Sequence, residues 1–88
     1  MNIHPSLLPK YKGLNTHKRA LEAGDKTHGC TVHYVNEELD GGAIIDQESI
    51  EILSSDTPET LQNRLISVEH ALYISALETV CFALNSAT

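Results

Sequence analysis

The stretch that most limits how this chain can fold runs from Ser54 to Leu84. Leu61, Leu65, Val68 and Leu72 recur there at helical intervals, and apolar residues continue to Leu84. That spacing gathers side chains into one stripe along an α-helix, and the stripe has to be buried against other elements. The segment Ser54-Ser55-Asp56-Thr57-Pro58-Glu59 supplies a start. Asp56 or Thr57 can cap the helix, and Pro58 suits its first turn. Glu59 follows Asp56 at capping-box spacing, with Asp in place of Ser or Thr.

What precedes this helix reads as strands around one short helix. Met1 to His4 alternates like a short strand, and Pro5 and Pro9 stop any ladder after it, leaving a loop from Ser6 to Gly13. A helix from about Asn15 or Thr16 to Ala23 follows, with Gly24 suited to a left-handed C′ position. Asp25 to His28 reads as a polar connection, and Cys30 to Val35 as a strand. On that strand Cys30, Val32 and Tyr34 point one way, and Thr31, His33 and Val35 the other. Asp40-Gly41-Gly42 marks a turn, and Ala43 to Ile45 with Ile50 and Ile52 suggests a further strand with an irregular middle. The expected order is strand, short helix, two strands and a long C-terminal helix in a single α/β unit. Its sheet is expected to be part of a larger, mostly parallel one, with an antiparallel contribution from the strand pair. No internal repeat or linker marks a second domain.

Charge and cysteine content remove several function classes. A net charge of −6 argues against a nucleic-acid surface, which needs clustered Lys and Arg. The bases present (Lys10, Lys12, Lys18, Arg19, Lys26) crowd into the first third, where a local anion site would fit. No uninterrupted apolar run spans a bilayer and no signal-peptide pattern opens the chain, so no membrane partner is expected. Cys30 and Cys81 read as two buried thiols in a reducing cytoplasm. His4, His17, His28, His33 and His70 lack compact ligand spacing, so no metal is expected. His17 and His28 read as surface residues.

Some of the polar residues pair by period. Asn2 and His4 leave one face of a strand together, and an amide beside an imidazole can donate two hydrogen bonds to a developing oxyanion. His4 can also exchange a proton near neutral pH. The same spacing suits an ordinary half-buried histidine. Thr31 and His33 also share a face. Asp40 lies beside two glycines, where backbone can approach a ligand closely, and the same three residues suit a plain hairpin turn.

Taken together, the motifs decide more than each does alone. Asn2-Ile3-His4-Pro5-Ser6-Leu7-Leu8-Pro9-Lys10-Tyr11-Lys12-Gly13-Leu14, then Thr16-His17, resembles the signature of the folate-dependent formyltransferases in their phosphoribosylglycinamide formyltransferase version. So does the stretch from His28-Gly29 through Thr31-Val32-His33 to Glu38-Leu39-Asp40-Gly41-Gly42 and Ile44-Ile45, and Glu69-His70-Ala71 fits a third block. The resemblance covers essentially all 88 residues. It implies a C-terminal part of a formyltransferase domain, residues 1–88, whose N-terminal nucleotide-binding half is absent.

The resemblance also implies roles. His4 would stabilise and protonate the oxygen of the tetrahedral intermediate formed when an amine attacks the formyl carbon of 10-formyltetrahydrofolate. Asn2 would hold the same oxygen through its amide. Asp40 would keep His4 in its useful ionisation state and help move a proton, through water. Thr31 and His33 would order the water and loop around Asp40. Leu39, Gly41 and Gly42 would lie against the pterin, and Glu69 would contact the ribose of glycinamide ribonucleotide. No metal would be required. Asn15 stands where many members carry His, a change that tunes rather than removes the chemistry. A formyltetrahydrofolate deformylase is the alternative within the family. A fragment that self-associates without turnover, as a homodimer or otherwise, is the alternative outside it. The isolated chain is expected to be inactive or nearly so.

Overall fold

The fold, taken from a computed structural model, is described for residues 1–35 and 43–86, with side chains through Phe82. Five elements follow in order: β1 (Asn2–His4), α1 (Thr16–Glu22), β2 (Thr27–His33), β3 (Ile44–Glu51) and α2 (Pro58–Ser86). This is the expected order. The orientation is a correction. The three strands form one sheet in the order β1-β2-β3: β2 and β3 pair antiparallel, as expected of the strand pair, and β1 pairs with β2 antiparallel rather than parallel. A parallel pairing needs a helix that carries the chain back across the sheet. Here α1 lies against α2 instead, and β2 returns beside β1 in the opposite direction.

Tertiary pairing overrides local composition in β2. The strand starts at Thr27, inside the stretch whose polarity suggests a connection, because Thr27 pairs with Glu51 and His28 with Ile50. The expected alternation holds. Cys30 and Val32, fully buried, face α2 and form the core with Leu65, Leu72 and Ala76, against which Met1, Ile3, Ile45, Ile50, Val68 and Tyr73 pack. Gly29 and Thr31 face the loop that leaves β1. At Gly29 a Cβ would lie 2.1 Å from the Glu48 carbonyl oxygen and 2.6 Å from the Leu7 side chain, so only glycine lets these three segments meet.

β3 is continuous, and its irregularity sits at one end. Val32 pairs with Asp46 and His33 with Ile44, so Ile45 is the extra residue of a bulge. A bulge re-aims the side chains around it, which lets Ile45 reach the core out of the strand's regular phase.

Both helices end as their chemistry dictates. At the C-terminus of α1, Gly24 has φ 72°, its N–H donates to Leu21 O at 3.1 Å, and Asp25 N–H donates to Ala20 O at 3.2 Å. This is the Schellman arrangement. At the N-terminus of α2, Thr60 N–H donates to Thr57 Oγ1 at 3.2 Å and Thr57 N–H to Thr60 Oγ1 at 2.9 Å. Thr57 is thus the N-cap and Thr60, not Glu59, closes the box. Asp56 instead receives Leu53 N–H at 2.8 Å and pairs with Arg64, which holds its carboxyl down at about 2.

Contrary to the expectation from uninterrupted runs, Pro58–Phe82 is long and apolar enough, on average, to cross a membrane. Only part of that apolar surface meets the sheet. Leu61, Leu65, Leu72 and Ala76 are buried, whereas Ile66, Ile74, Leu77 and Phe82 are exposed.

Candidate active site

The register of β1 on β2 brings four expected residues together. Asn2 pairs with His33 and His4 with Thr31, and directly opposed residues of an antiparallel pair share a face. Asn2, His4, Thr31 and His33 therefore stand on one side of the sheet, away from α2. His4, Thr31 and His33 are buried and Asn2 is exposed.

Their hydrogen bonds assign each a part. The Asn2 side-chain oxygen accepts Ile3 N–H at 2.9 Å, which turns its NH₂ group into the half that can serve a ligand. His4 Nε2 lies 2.9 Å from the Tyr11 carbonyl oxygen. The Thr31 hydroxyl donates to Ser6 O at 2.7 Å and accepts Leu8 N–H at 3.1 Å and Gln47 Nε2–H at 3.0 Å. Among the described residues, the loop that Thr31 orders is the one leaving β1. Gln47 adds a bond from the same amide nitrogen to Leu8 O at 2.8 Å. His33 Nδ1 donates to Tyr34 O at 3.1 Å.

Glu69 reaches the β1 edge from α2. It lines a cleft of about 390 Å³ with Ile3, His70, Tyr73 and Ile74. Burial raises its pKa, against which the charges of His70 and His4 act. Leu39, Asp40, Gly41 and Gly42 fall outside the described residues, so their approach to His4 is not part of this geometry.

Two histidines expected at the surface form a pair instead. His28 is buried, its Nε2 3.1 Å from His17 Nδ1, with the rings edge to face. Burial, then the charge of His17, lowers the His28 pKa to about 4, and burial lowers that of His17. Of the two thiols, Cys30 is buried and pushed up to about 12, chiefly by desolvation, whereas Cys81 is exposed, and both are free. No group of three His, Cys, Asp or Glu side chains among the described residues is arranged to hold a metal.

Sequence reasoning passed over Ser6, Tyr11, Asp25 and Gln47. Ser6 is fully buried and its hydroxyl donates to Lys10 O at 2.5 Å. Tyr11 takes a left-handed backbone, φ 54°, and its hydroxyl donates to Asp25. No periodicity marks such residues. The proline-bounded loop Pro5 to Pro9 was the signal that its ends are held.

Comparison with known proteins gives this geometry a family. Residues 1–77 match the family described as Formyl transferase. A phosphoribosylglycinamide formyltransferase of Haemophilus influenzae is 56% identical over 73 residues, 83% of this chain and 34% of that protein. A trifunctional purine biosynthetic protein adenosine-3 of Gallus gallus is 54% identical over 80 residues, 91% of this chain and 8% of that protein. The crystal structure of phosphoribosylglycinamide formyltransferase from Anaplasma phagocytophilum superposes with a TM-score of 0.87 at 48% identity, covering 90% of this chain and 39% of the solved one. The chain thus spans about a third of the length of its single-function relative and under a tenth of the trifunctional one. On the match over residues 1–77, the chain belongs to the formyl transferase family.

Proposed function

We propose that this chain is the oxyanion-stabilising part of a phosphoribosylglycinamide formyltransferase of purine biosynthesis. In this reading the formyl group moves from 10-formyltetrahydrofolate to the amine of glycinamide ribonucleotide. The observation that carries it is the convergence of Asn2, His4, Thr31 and His33 on one face of the β1–β2 pair.

The amine nitrogen attacks the formyl carbon, and the carbonyl electron pair moves onto oxygen. The Asn2 NH₂ and the His4 imidazolium donate to that oxygen, where preorganised donors are most effective. The new C–N bond stays as the bond from carbon to N10 of the folate breaks, N10 takes a proton and the carbonyl re-forms. Asp40 is assigned the proton leaving the amine. Leu39, Gly41 and Gly42 are assigned to the pterin and Glu69 to the ribose. His33 and Thr31 support the site, Thr31 by holding the exit of β1. No step needs a metal.

The chain by itself is assigned little or no turnover, because most of the relatives' length lies outside the part it matches. A homodimer, or another self-associated form, follows from the exposed apolar side of α2. The cytoplasm is the proposed compartment, where Cys30 and Cys81 stay reduced.

The test exchanges the matching 73 residues of the Haemophilus influenzae relative for those of this chain and assays formyl transfer. The hybrid is expected to turn over, and His4→Ala to lower kcat by about 10²- to 10³-fold, the usual effect of losing an oxyanion donor. A His4→Ala hybrid as fast as its parent would overturn the assignment.

A further inference from the structure

His4 is oriented by a backbone carbonyl, and that carbonyl is held in an unusual place. Tyr11 has φ 54° and Asn15 φ 59°, two non-glycine residues in the left-handed region within one short loop. Such a conformation costs an ordinary L-residue roughly 1 kcal/mol or more, and it persists where the surroundings enforce it.

The surroundings of Tyr11 do so from two sides. Its hydroxyl donates to Asp25. Asp25 is itself placed by the end of α1, through its N–H to Ala20 O at 3.2 Å, and Lys10 Nζ stands 3.6 Å from the same carboxylate. The Arg19 guanidinium lies 5.2 Å from the centre of the Tyr11 ring, at cation–π range. Arg19 also donates to Lys12 O at 2.6 Å and Leu14 O at 3.2 Å, tying the rest of the loop to α1. The chain of restraint thus runs from the C-terminus of α1, through Asp25 and the phenol, to the Tyr11 carbonyl.

At its far end that carbonyl meets His4 Nε2 at 2.9 Å. A carbonyl oxygen only accepts, so Nε2 carries a proton in the neutral ring and in the cation alike. Nδ1 is then the nitrogen that gains and loses a proton while the bond from Nε2 is kept.

We propose that Tyr11 is a positioning residue: its anchored, left-handed backbone directs its carbonyl at His4 Nε2 and so fixes the Nε2–H tautomer of that ring. The proposal rests on His4 being the acid of the reaction, yet its test uses no substrate. A chain that never transfers formyl groups would still display the tautomer, so the two readings fail separately.

The experiment is long-range ¹H–¹⁵N NMR of the histidine rings in the 88-residue chain at a pH where His4 is neutral. His4 is expected as a single Nε2–H tautomer. In Tyr11→Phe and Asp25→Ala the His4 Nδ1 and Nε2 shifts are expected to move toward each other as both tautomers become populated. His33 and the rest of β2 should keep their shifts. Asp25→Asn, which leaves an acceptor for the phenol, should restore the wild-type pattern. An Nδ1–H tautomer or an even mixture at His4 in the unaltered chain would overturn the proposal, whatever the variants do. So would variants that fold and leave the two shifts unmoved.

Discussion

His28 shows how one buried side chain sets a pH dependence. Two neutral imidazoles share a hydrogen bond, one ring donating and the other accepting. Protonating both would turn two donors on each other inside a buried site. Desolvation is the larger cause of the shift and the charge of His17 the next, together bringing His28 to about 4. The unfolded chain binds this proton below about 6.5, its ordinary value, and the folded chain only below about 4. Between those values the unfolded state binds more protons, so stability rises with pH and is lost on acidification through that window. At roughly 1.4 kcal/mol per unit, His28 should remove on the order of 3 kcal/mol by pH 4. Urea midpoints measured from pH 7 to 4 should fall, and His28→Gln should flatten the fall. An equal slope in the variant would place the lost stability elsewhere. The Asp56 carboxyl, held at about 2 by Arg64, acts in a separate window: its contribution is present above about 4 and disappears as pH falls toward 2.

At the scale of elements, the start of α2 is a local device with a measurable effect. Thr57 and Thr60 exchange side-chain and backbone hydrogen bonds, satisfying two groups that a helix end leaves open. Thr57→Ala should lower stability by about 1 kcal/mol, read as a lower melting temperature with α2 otherwise intact. An unchanged melting temperature would mean that Asp56 and Arg64 hold the helix start alone. The example also shows what the residues reveal in advance. A helix beginning at Pro58 was legible from Leu61, Leu65, Val68 and Leu72, because period and capping are local properties. Which residue caps was not, since Asp56 is drawn away by Arg64, eight positions on. Antiparallel pairing of β1 with β2 was not legible either, because it depends on α1 packing against α2. The site followed the same division. Asn2 with His4, and Thr31 with His33, were paired by period, but that the two pairs share a face is a matter of register. Tyr11 and Asp25 meet only through the loop and α1, and no spacing connects them.

Across the whole molecule the helix and the sheet do not match in length. α2 has 29 residues, about 43 Å at the usual rise, and the molecule extends 49 Å along its longest axis. Among the described residues, the buried ones of α2 end at Ala76, and beyond the sheet Leu77 and Phe82 remain 45% and 74% exposed. The accessible surface is 5702 Å², above the roughly 5,100 Å² of a compact monomer of this mass. The two sheet edges differ. β3 presents exposed Asp46, Glu48 and Glu51, charges that discourage another strand. β1 is three residues long and carries no acidic or basic side chain besides His4. A second copy is therefore expected to cover α2 and the β1 edge rather than β3. With a net charge of −6 on each copy, repulsion opposes association and salt screens it, while apolar burial persists. Sedimentation at micromolar concentration should find dimers that tighten as salt rises from about 0.05 to 0.5 M, whereas an association held by ion pairs would weaken over that range. Leu77→Glu should shift the population to monomer by placing a charge on the covered face. A wild-type chain that sediments as a monomer at every salt concentration would mean that the exposed stripe of α2 is not covered by a second copy.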